Sequence, residues 1–142
     1  MMISTKGRYA LRVMIDLAER DPAVYTPLRD IAERQNISEK YLESILKVLI
    51  RKNYLVGLRG KGGGYRLTRP PESYTVGSIL KQTEGSLAPV SCLECGAAAC
   101  ARASSCKTLP MWQRLDAIID DYFEGITLAD LAAGNDSSDF VI

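Results

Sequence analysis

Residues 38–69 constrain the chain more than any other stretch. The run Ser38-Glu-Lys-Tyr-Leu-Glu-Ser-Ile-Leu-Lys-Val-Leu-Ile-Arg-Lys52 carries apolar residues at Leu42, Ile45, Leu46 and Leu49. That i, i+3, i+4, i+7 spacing puts them on one face of a helix. Lys40, Glu43, Lys47 and Arg51 fall on the other face. Ser38 predicts an N-cap and Asn53 a left-handed stop. Tyr54–Leu58 and Tyr65–Arg69 read as short strands around a basic, glycine-rich tip, Arg59-Gly-Lys-Gly-Gly-Gly64. Taken alone, the charged helix face could be no more than a solvated face. A nucleotide-phosphate loop is a poor reading of the tip, because it lacks the Walker spacing and no helical pattern follows it.

The preceding segment gives the stretch its meaning. Thr26-Pro27 opens a short helix, Leu28 to Arg34, with Thr26 as cap and Pro27 at the first helical position. Leu28, Ile31 and Ala32 form its apolar side, and Gln35-Asn36-Ile37 makes a tight turn into the Ser38 helix. Two short helices joined by a three-residue turn and followed by a basic hairpin predict a winged helix-turn-helix. The fold class is therefore mostly α with a small β-hairpin wing. In that layout the second helix enters a major groove, and the tip, with Arg59, Gly60 and Lys61, reaches backbone or minor groove.

Charge supports a division of labour. Residues 1–85 hold 15 Lys/Arg against 9 Asp/Glu, whereas residues 86–142 hold 3 against 8. The basic part suits a polyanion, and the acidic part has another task. At 142 residues, with 46% hydrophobic and 25% charged residues, the chain is an ordinary globular protein of one or two small domains. No apolar run approaches membrane-spanning length and no signal-peptide pattern opens the chain. Both predict a cytoplasmic protein with no membrane partner.

The rest divides readily. A first helix is expected from about Thr5 to Glu19, with Ala10, Val13, Met14 and Leu17 as core face, Arg8 and Arg12 outward, and Asp21-Pro22 as its end. Arg69-Pro-Pro71 closes the wing. Thr75 caps a helix from Val76 to about Glu84, and Gly85 stops it. A winged domain over 1–85 thus precedes an aperiodic, Ala/Ser/Gly-rich loop over 86–107. The segment 108–142 follows, with a long helix whose stripe is Met111, Trp112, Leu115, Ile118, Ile119, Tyr122 and Phe123. Such a stripe beyond a small winged domain predicts a partner surface, most simply its own copy in a dimer. Thr127-Leu-Ala-Asp130 starts a last short helix with a capping-box pattern, ending at Gly134. The tail is polar and acidic up to Phe140-Val-Ile142, an apolar end suited to docking.

All four cysteines lie in the loop, as Cys92-x2-Cys95-x4-Cys100-x5-Cys106, and the chain has no histidine. Buried small residues and disulfides are the plain alternatives; disulfides need an oxidising compartment or a redox-sensing role. The favoured reading is a metal or cluster centre, because soft thiolates in one loop suit zinc or iron–sulfur. Zinc prefers two separated C-x-x-C pairs, and only Cys92–Cys95 has that spacing. Iron–sulfur clusters accept looser ones. A thiol oxidoreductase would want a βαβ context and a helix N-terminus under the first cysteine, and neither is visible.

Five stretches carry a family resemblance: Ser4-Thr-Lys-Gly-Arg-Tyr-Ala10, Ile37-Ser-Glu-Lys-Tyr-Leu-Glu43, Leu58-Arg-Gly-Lys-Gly-Gly-Gly-Tyr65, the cysteine loop before Trp112, and Ile126-Thr-Leu-Ala-Asp-Leu131. In these the chain resembles the Rrf family of bacterial winged-helix regulators, which includes iron–sulfur, nitric-oxide and cysteine-metabolism regulators. The resemblance implies a homodimer on a palindromic double-stranded DNA operator, with long C-terminal helices crossing at the interface. By matching positions it implies phosphate contacts from Ser38, Lys40 and Tyr41, base edges under Glu43 and Ser44, and a minor groove entered by Arg59 and Gly60. A carboxylate such as Glu43 can accept from cytosine N4; its plainer role is to pair with Lys40 or Lys47.

Cluster-bearing members of this family use three loop cysteines and one non-cysteine ligand. Here Cys100 and Cys106 match the last two family cysteines, and the first would fall at Glu94. The other members' histidine and aspartate ligands fall at Leu109 and Arg8. The chain thus departs from the family pattern and lacks its usual fourth ligand; with a fourth cysteine in that role, an all-cysteine iron–sulfur centre is the expectation, 2Fe–2S first and 4Fe–4S second, with zinc or no metal as the alternatives. Gly85-Ser-Leu-Ala-Pro-Val90, the apolar end and Ile3-Ser-Thr-Lys6 are most similar to the cysteine-metabolism repressor type. That type lacks a cluster loop and is controlled through a partner enzyme. A metal-free thiol switch is a further alternative. With no histidine, no nucleophile–base pair and no phosphate loop, an enzyme is not expected; the reading is a DNA-binding transcription regulator, with repression as the expected action.

Overall fold

The computed structural model describes residues 2–94 and 100–134. The chain runs as α1 (Thr5–Ala18), α2 (Leu28–Gln35), α3 (Glu39–Arg51), β1 (Leu55–Leu58), β2 (Gly64–Leu67), α4 (Val76–Glu84), α5 (Leu109–Glu124) and α6 (Leu128–Ala132). It is mostly helical with a two-stranded antiparallel hairpin, the winged helix-turn-helix expected from the sequence. None of the described helices is long and apolar enough to cross a membrane.

Each helix of the reading unit begins and ends where local chemistry directs. Ser38 Oγ accepts from the Tyr41 N–H and caps α3. Asn36 (φ 54°) and Asn53 (φ 62°) occupy left-handed conformations on either side of α3, a geometry that asparagine tolerates better than most residues. Leu42, Ile45, Leu46 and Leu49 are all buried. They join Ala10, Val13 and Met14 of α1, Ile31 of α2 and Leu55 of β1 in one core. The helix α1 ends at Ala18, one residue earlier than expected.

Thr26 differs from its sequence reading. It makes no cap; Pro27 holds the N-cap position of α2 without a side-chain bond. Instead Thr26 and Tyr65 exchange both backbone hydrogen bonds, each 2.8 Å, so Thr26 acts as a one-residue third strand on the wing. The wing pairs Leu55 with Leu67 and Leu58 with Gly64. Its exit is held by Tyr74, fully buried, whose hydroxyl donates to the Tyr54 carbonyl (2.8 Å) and accepts from the N–H groups of Thr68 and Arg69 (3.1 and 3.2 Å).

Two capping boxes then meet across a β-bridge. Thr75 pairs with Ser78 at the start of α4, Thr127 pairs with Asp130 at the start of α6, and Thr75 bridges Thr127. Leu128 enters the main core, so α6 returns to the winged unit and packs on α1. The helix α5 buries no residue fully. Its stripe is split: Ile119 and Phe123 pack against Val76, Leu80, Leu87 and Ile126. Met111, Leu115, Ile118 and Tyr122 stay exposed at 54%, 38%, 44% and 37%.

Candidate nucleic-acid interface and cysteine loop

The proposed DNA-contacting residues share one side of the molecule. Ser38, Lys40, Glu43, Ser44 and Lys47 are exposed along α3, and Tyr41 is half-buried among them. Burying residues 42, 45, 46 and 49 turns residues 40, 43, 44 and 47 outward, which is a consequence of the 3.6-residue period. Arg59, Gly60 and Lys61 are exposed at the wing tip. Between helix and wing runs a groove of about 660 Å³, lined in part by Glu43, Lys47, Gly57, Arg59 and Gly60. Glu43 and Lys47 approach to 3.9 Å. The Ser44 hydroxyl donates to the Tyr41 carbonyl at 2.6 Å.

A network behind this face holds the N-terminal end of α3, and sequence reading placed only its outer members. The Tyr9 ring meets Tyr41 edge-on at 5.9 Å, and the Arg12 guanidinium lies over Tyr9 at 4.9 Å. Arg12 also donates to the side-chain and backbone oxygens of Gln35. The Gln35 amide donates to the buried Asp16 carboxylate at 2.9 Å, which Arg34 grips as well. The only sequence signal for this network is an acid at position 16, between the core residues Met14 and Leu17.

The loop after α4 leaves its described cysteines accessible. Cys92 lies in a single 3-10 turn, Ser91–Leu93, and is exposed; Cys100 is exposed and Cys106 is partly covered. Cys95 lies outside the described residues. The Cys106 sulfur is 3.4 Å from the Thr108 hydroxyl. Hydrogen bonding from the Thr108 side chain, then from the Thr108 and Leu109 backbone, holds this thiol below its ordinary range. That favours thiolate, the form that binds metal. Among the described residues no three His, Cys, Asp or Glu side chains converge as a metal site. In chemistry the donors fit a thiolate-ligated centre: the sulfurs are soft, and one described thiol is biased toward its anion.

The comparisons agree with this architecture. The model of the Rrf2 family, described as iron-dependent transcriptional regulators, matches residues 3–134. The transcriptional regulator IscR of Aliivibrio salmonicida is 35% identical over 136 residues, covering 96% of this chain and 80% of that one. Among solved structures, CymR, the global cysteine regulator of B. subtilis, superposes with a TM-score of 0.78 at 36% identity, covering 96% of this chain and 99% of that one. IscR from T. potens gives 0.72 at 30%, covering 100% and 93%. Relatives named as transcriptional regulators make this chain a regulator rather than an enzyme, with DNA as its partner. A helix-turn-helix with a basic wing, matched in sequence over nearly its whole length and in fold to both regulators, makes the chain a member of the Rrf2 family of transcriptional regulators.

Proposed function

We propose that this regulator is a cytoplasmic homodimer that represses from a palindromic operator, and that its loop cysteines hold an iron–sulfur cluster as the sensing centre. The observation that carries the DNA reading is the groove between α3 and the wing, which brings Glu43 and Lys47 beside Arg59 and Gly60. Ser38, Lys40, Tyr41, Lys47 and Lys61 serve phosphates, which position the protein. Glu43 and Ser44 serve base edges, which specify sequence. Arg59 and Gly60 enter the minor groove. The three-part division, with a winged domain over 1–85, a sensor loop over 86–107 and a dimerisation helix with C-terminal tail over 108–142, belongs to the same proposal, with the correction that α6 of the last part packs into the core of the winged unit. The exposed row on α5 recurs at intervals of four, three and four residues, the spacing of a helix–helix seam.

Cys92, Cys95, Cys100 and Cys106 would hold the cluster. When bound, it supplies a redox-active centre that oxidation can alter or remove. The chain's own part is the coupling: residues 86–107 join α4 to α5, so reordering them bears on how the two reading heads are set. An anaerobic visible spectrum of fresh protein, with iron, sulfide and zinc assays, tests this. Colour with iron and sulfide supports it; zinc alone would make the loop structural.

The likeness to the cysteine regulator favours a second reading, in which a partner enzyme or thiol oxidation controls the protein without metal. Colourless, metal-free protein with full operator affinity would select it. The apolar end, Phe140-Val-Ile142, read from the sequence as suited to docking, lies outside the described residues.

A further inference from the structure

The segment joining α4 to α5 contains no α-helix or strand among its described residues, so it cannot by itself set the angle between them. The Thr75–Thr127 backbone bridge, with the Val76 N–H donating to the Ile126 carbonyl at 2.8 Å, pins the end of α5 to the start of α4 at one point; side chains along the joint must set the angle about that point. Apolar contact from Ile119 and Phe123 onto Val76 and Leu80 permits sliding and rotation, because such contact is not directional. One carboxylate supplies direction. Glu124, in the last turn of α5, accepts from the Thr75 hydroxyl at 2.7 Å through Oε2 and from Lys81 Nζ at 3.0 Å through Oε1. Lys81 also reaches Asp120 Oδ1 at 2.5 Å, one turn earlier on α5. The Glu124 side chain lies directly over Gly77, in space that any Cβ there would occupy. The N-cap residue Thr75 and the α4 residues Gly77 and Lys81 all bear on this one group.

We propose that Glu124 is the positioning residue that fixes the angle between the dimerisation helix and its reading head, and with it the half-site spacing the dimer accepts. This rests on the dimeric operator reading above. Phosphate and base contacts are made by α3 and the wing, so Glu124 touches no DNA. It acts on where the second head lands once the first is bound. One base pair more or less between half-sites moves the second half-site by about 3.4 Å along the duplex, enough to break hydrogen bonds that tolerate only tenths of an ångström.

The test uses full-length protein and three kinds of duplex: a palindrome selected by the wild type from a random library, the same palindrome with one central base pair inserted or removed, and a single half-site. Glu124→Gln keeps an acceptor for Thr75 and removes the charge facing Lys81. Gly77→Ala leaves Glu124 in place and pushes its carboxylate aside; the displaced atoms are the end of a flexible side chain, so this variant keeps its fold. Both are expected to sediment as dimers and to bind the half-site like wild type. Their preference for the selected spacing over the altered ones should fall at least fivefold. Unchanged spacing preference in both overturns the proposal, as does a parallel loss on palindrome and half-site. A wild type without any spacing preference would remove the dimeric reading itself, and this inference with it.

Discussion

Asp16 on the buried side of α1 receives both Nε and Nη2 of Arg34 from α2, at 2.9 and 2.7 Å. The carboxylate is 2% exposed and the guanidinium side chain 35%. Burial opposes the charge on Asp16, but hydrogen bonds from Arg34 and Gln35, with the charges of Arg34 and Arg20, outweigh it and hold the carboxyl below its ordinary range. Through Gln35 and Arg12 this pair fixes the turn that aims α3.

Asp16→Asn removes the charge and sets an amide against a guanidinium. The expected loss is about 2 kcal/mol, on the low side for a buried pair because part of Arg34 remains in water. The pH dependence has a definite sign. With the native carboxyl depressed, the unfolded chain takes up its proton first as acid is added. The stabilisation is whole above about pH 4, the ordinary carboxylate range, and is lost as pH falls through the native value. Thermal melts at neutral pH and at successively lower pH should show the wild type losing its advantage over the variant. Equal melting at neutral pH would rule the pair out as a fastening.

The DNA face predicts a salt signature. Lys47→Ala with Arg59→Ala should weaken operator binding and reduce the dependence of log affinity on log salt by about one unit for the phosphate contact of Lys47, and by up to about one more for the cation that Arg59 brings into the minor groove. Fluorescence anisotropy across a salt series reads this directly. A weaker but equally salt-steep complex would place these side chains off the backbone.

The exposed α5 row predicts an assembly phenotype. Leu115→Asp with Ile118→Asp changes two residues that are 38% and 44% exposed in the single chain, so the fold should survive with circular dichroism unaltered. Sedimentation velocity is expected to show a monomer, and palindrome affinity should fall at least tenfold. A variant that still sediments as a dimer would assign the interface elsewhere.

Gly64 predicts a wing phenotype. Its φ of 147° and the Thr26 carbonyl lying where a Cβ would go both exclude a side chain, and the paired Thr26–Tyr65 bonds leave that backbone little freedom to yield. Gly64→Ala should cost about 1–3 kcal/mol and loosen the wing against α2. Lower melting temperature together with weaker DNA binding is the expected result; normal values for both would show that the bridge adapts.

Much of this fold was legible because its signals are local. Ser38, Asn53, Thr75 and Thr127 act at helix ends within a few residues of themselves, and the face of α3 follows from period alone. Thr26 was misread because a threonine before a proline looks like a cap, while its actual partner, Tyr65, lies 39 positions away and acts through backbone atoms that sequence does not mark. The α5 stripe was visible as a stripe, but its division was not. Whether Ile119 or Ile118 is covered depends on where Val76 and Leu80 stand. The cysteine spacing announced a shared role without a geometry, since the loop has no period to translate spacing into direction. The family's helix and wing motifs were recognisable for the opposite reason: each sits on an element whose direction is fixed.

The left-handed asparagines on either side of α3 have a consequence for how such a regulator diverges. With Asn36 ending α2 two residues before the Ser38 cap of α3, and Asn53 turning the chain just past its end, the helix can neither lengthen nor slide along its axis without breaking a turn. Its outward positions therefore form a fixed comb, residues 40, 43, 44 and 47, within little more than two helical turns. Under the proposed DNA reading, a change of target sequence would come from exchanging the two teeth set over base edges, Glu43 and Ser44, one at a time, each change local in its effect. A shift in phase, which would rewrite every contact at once, is closed to the helix.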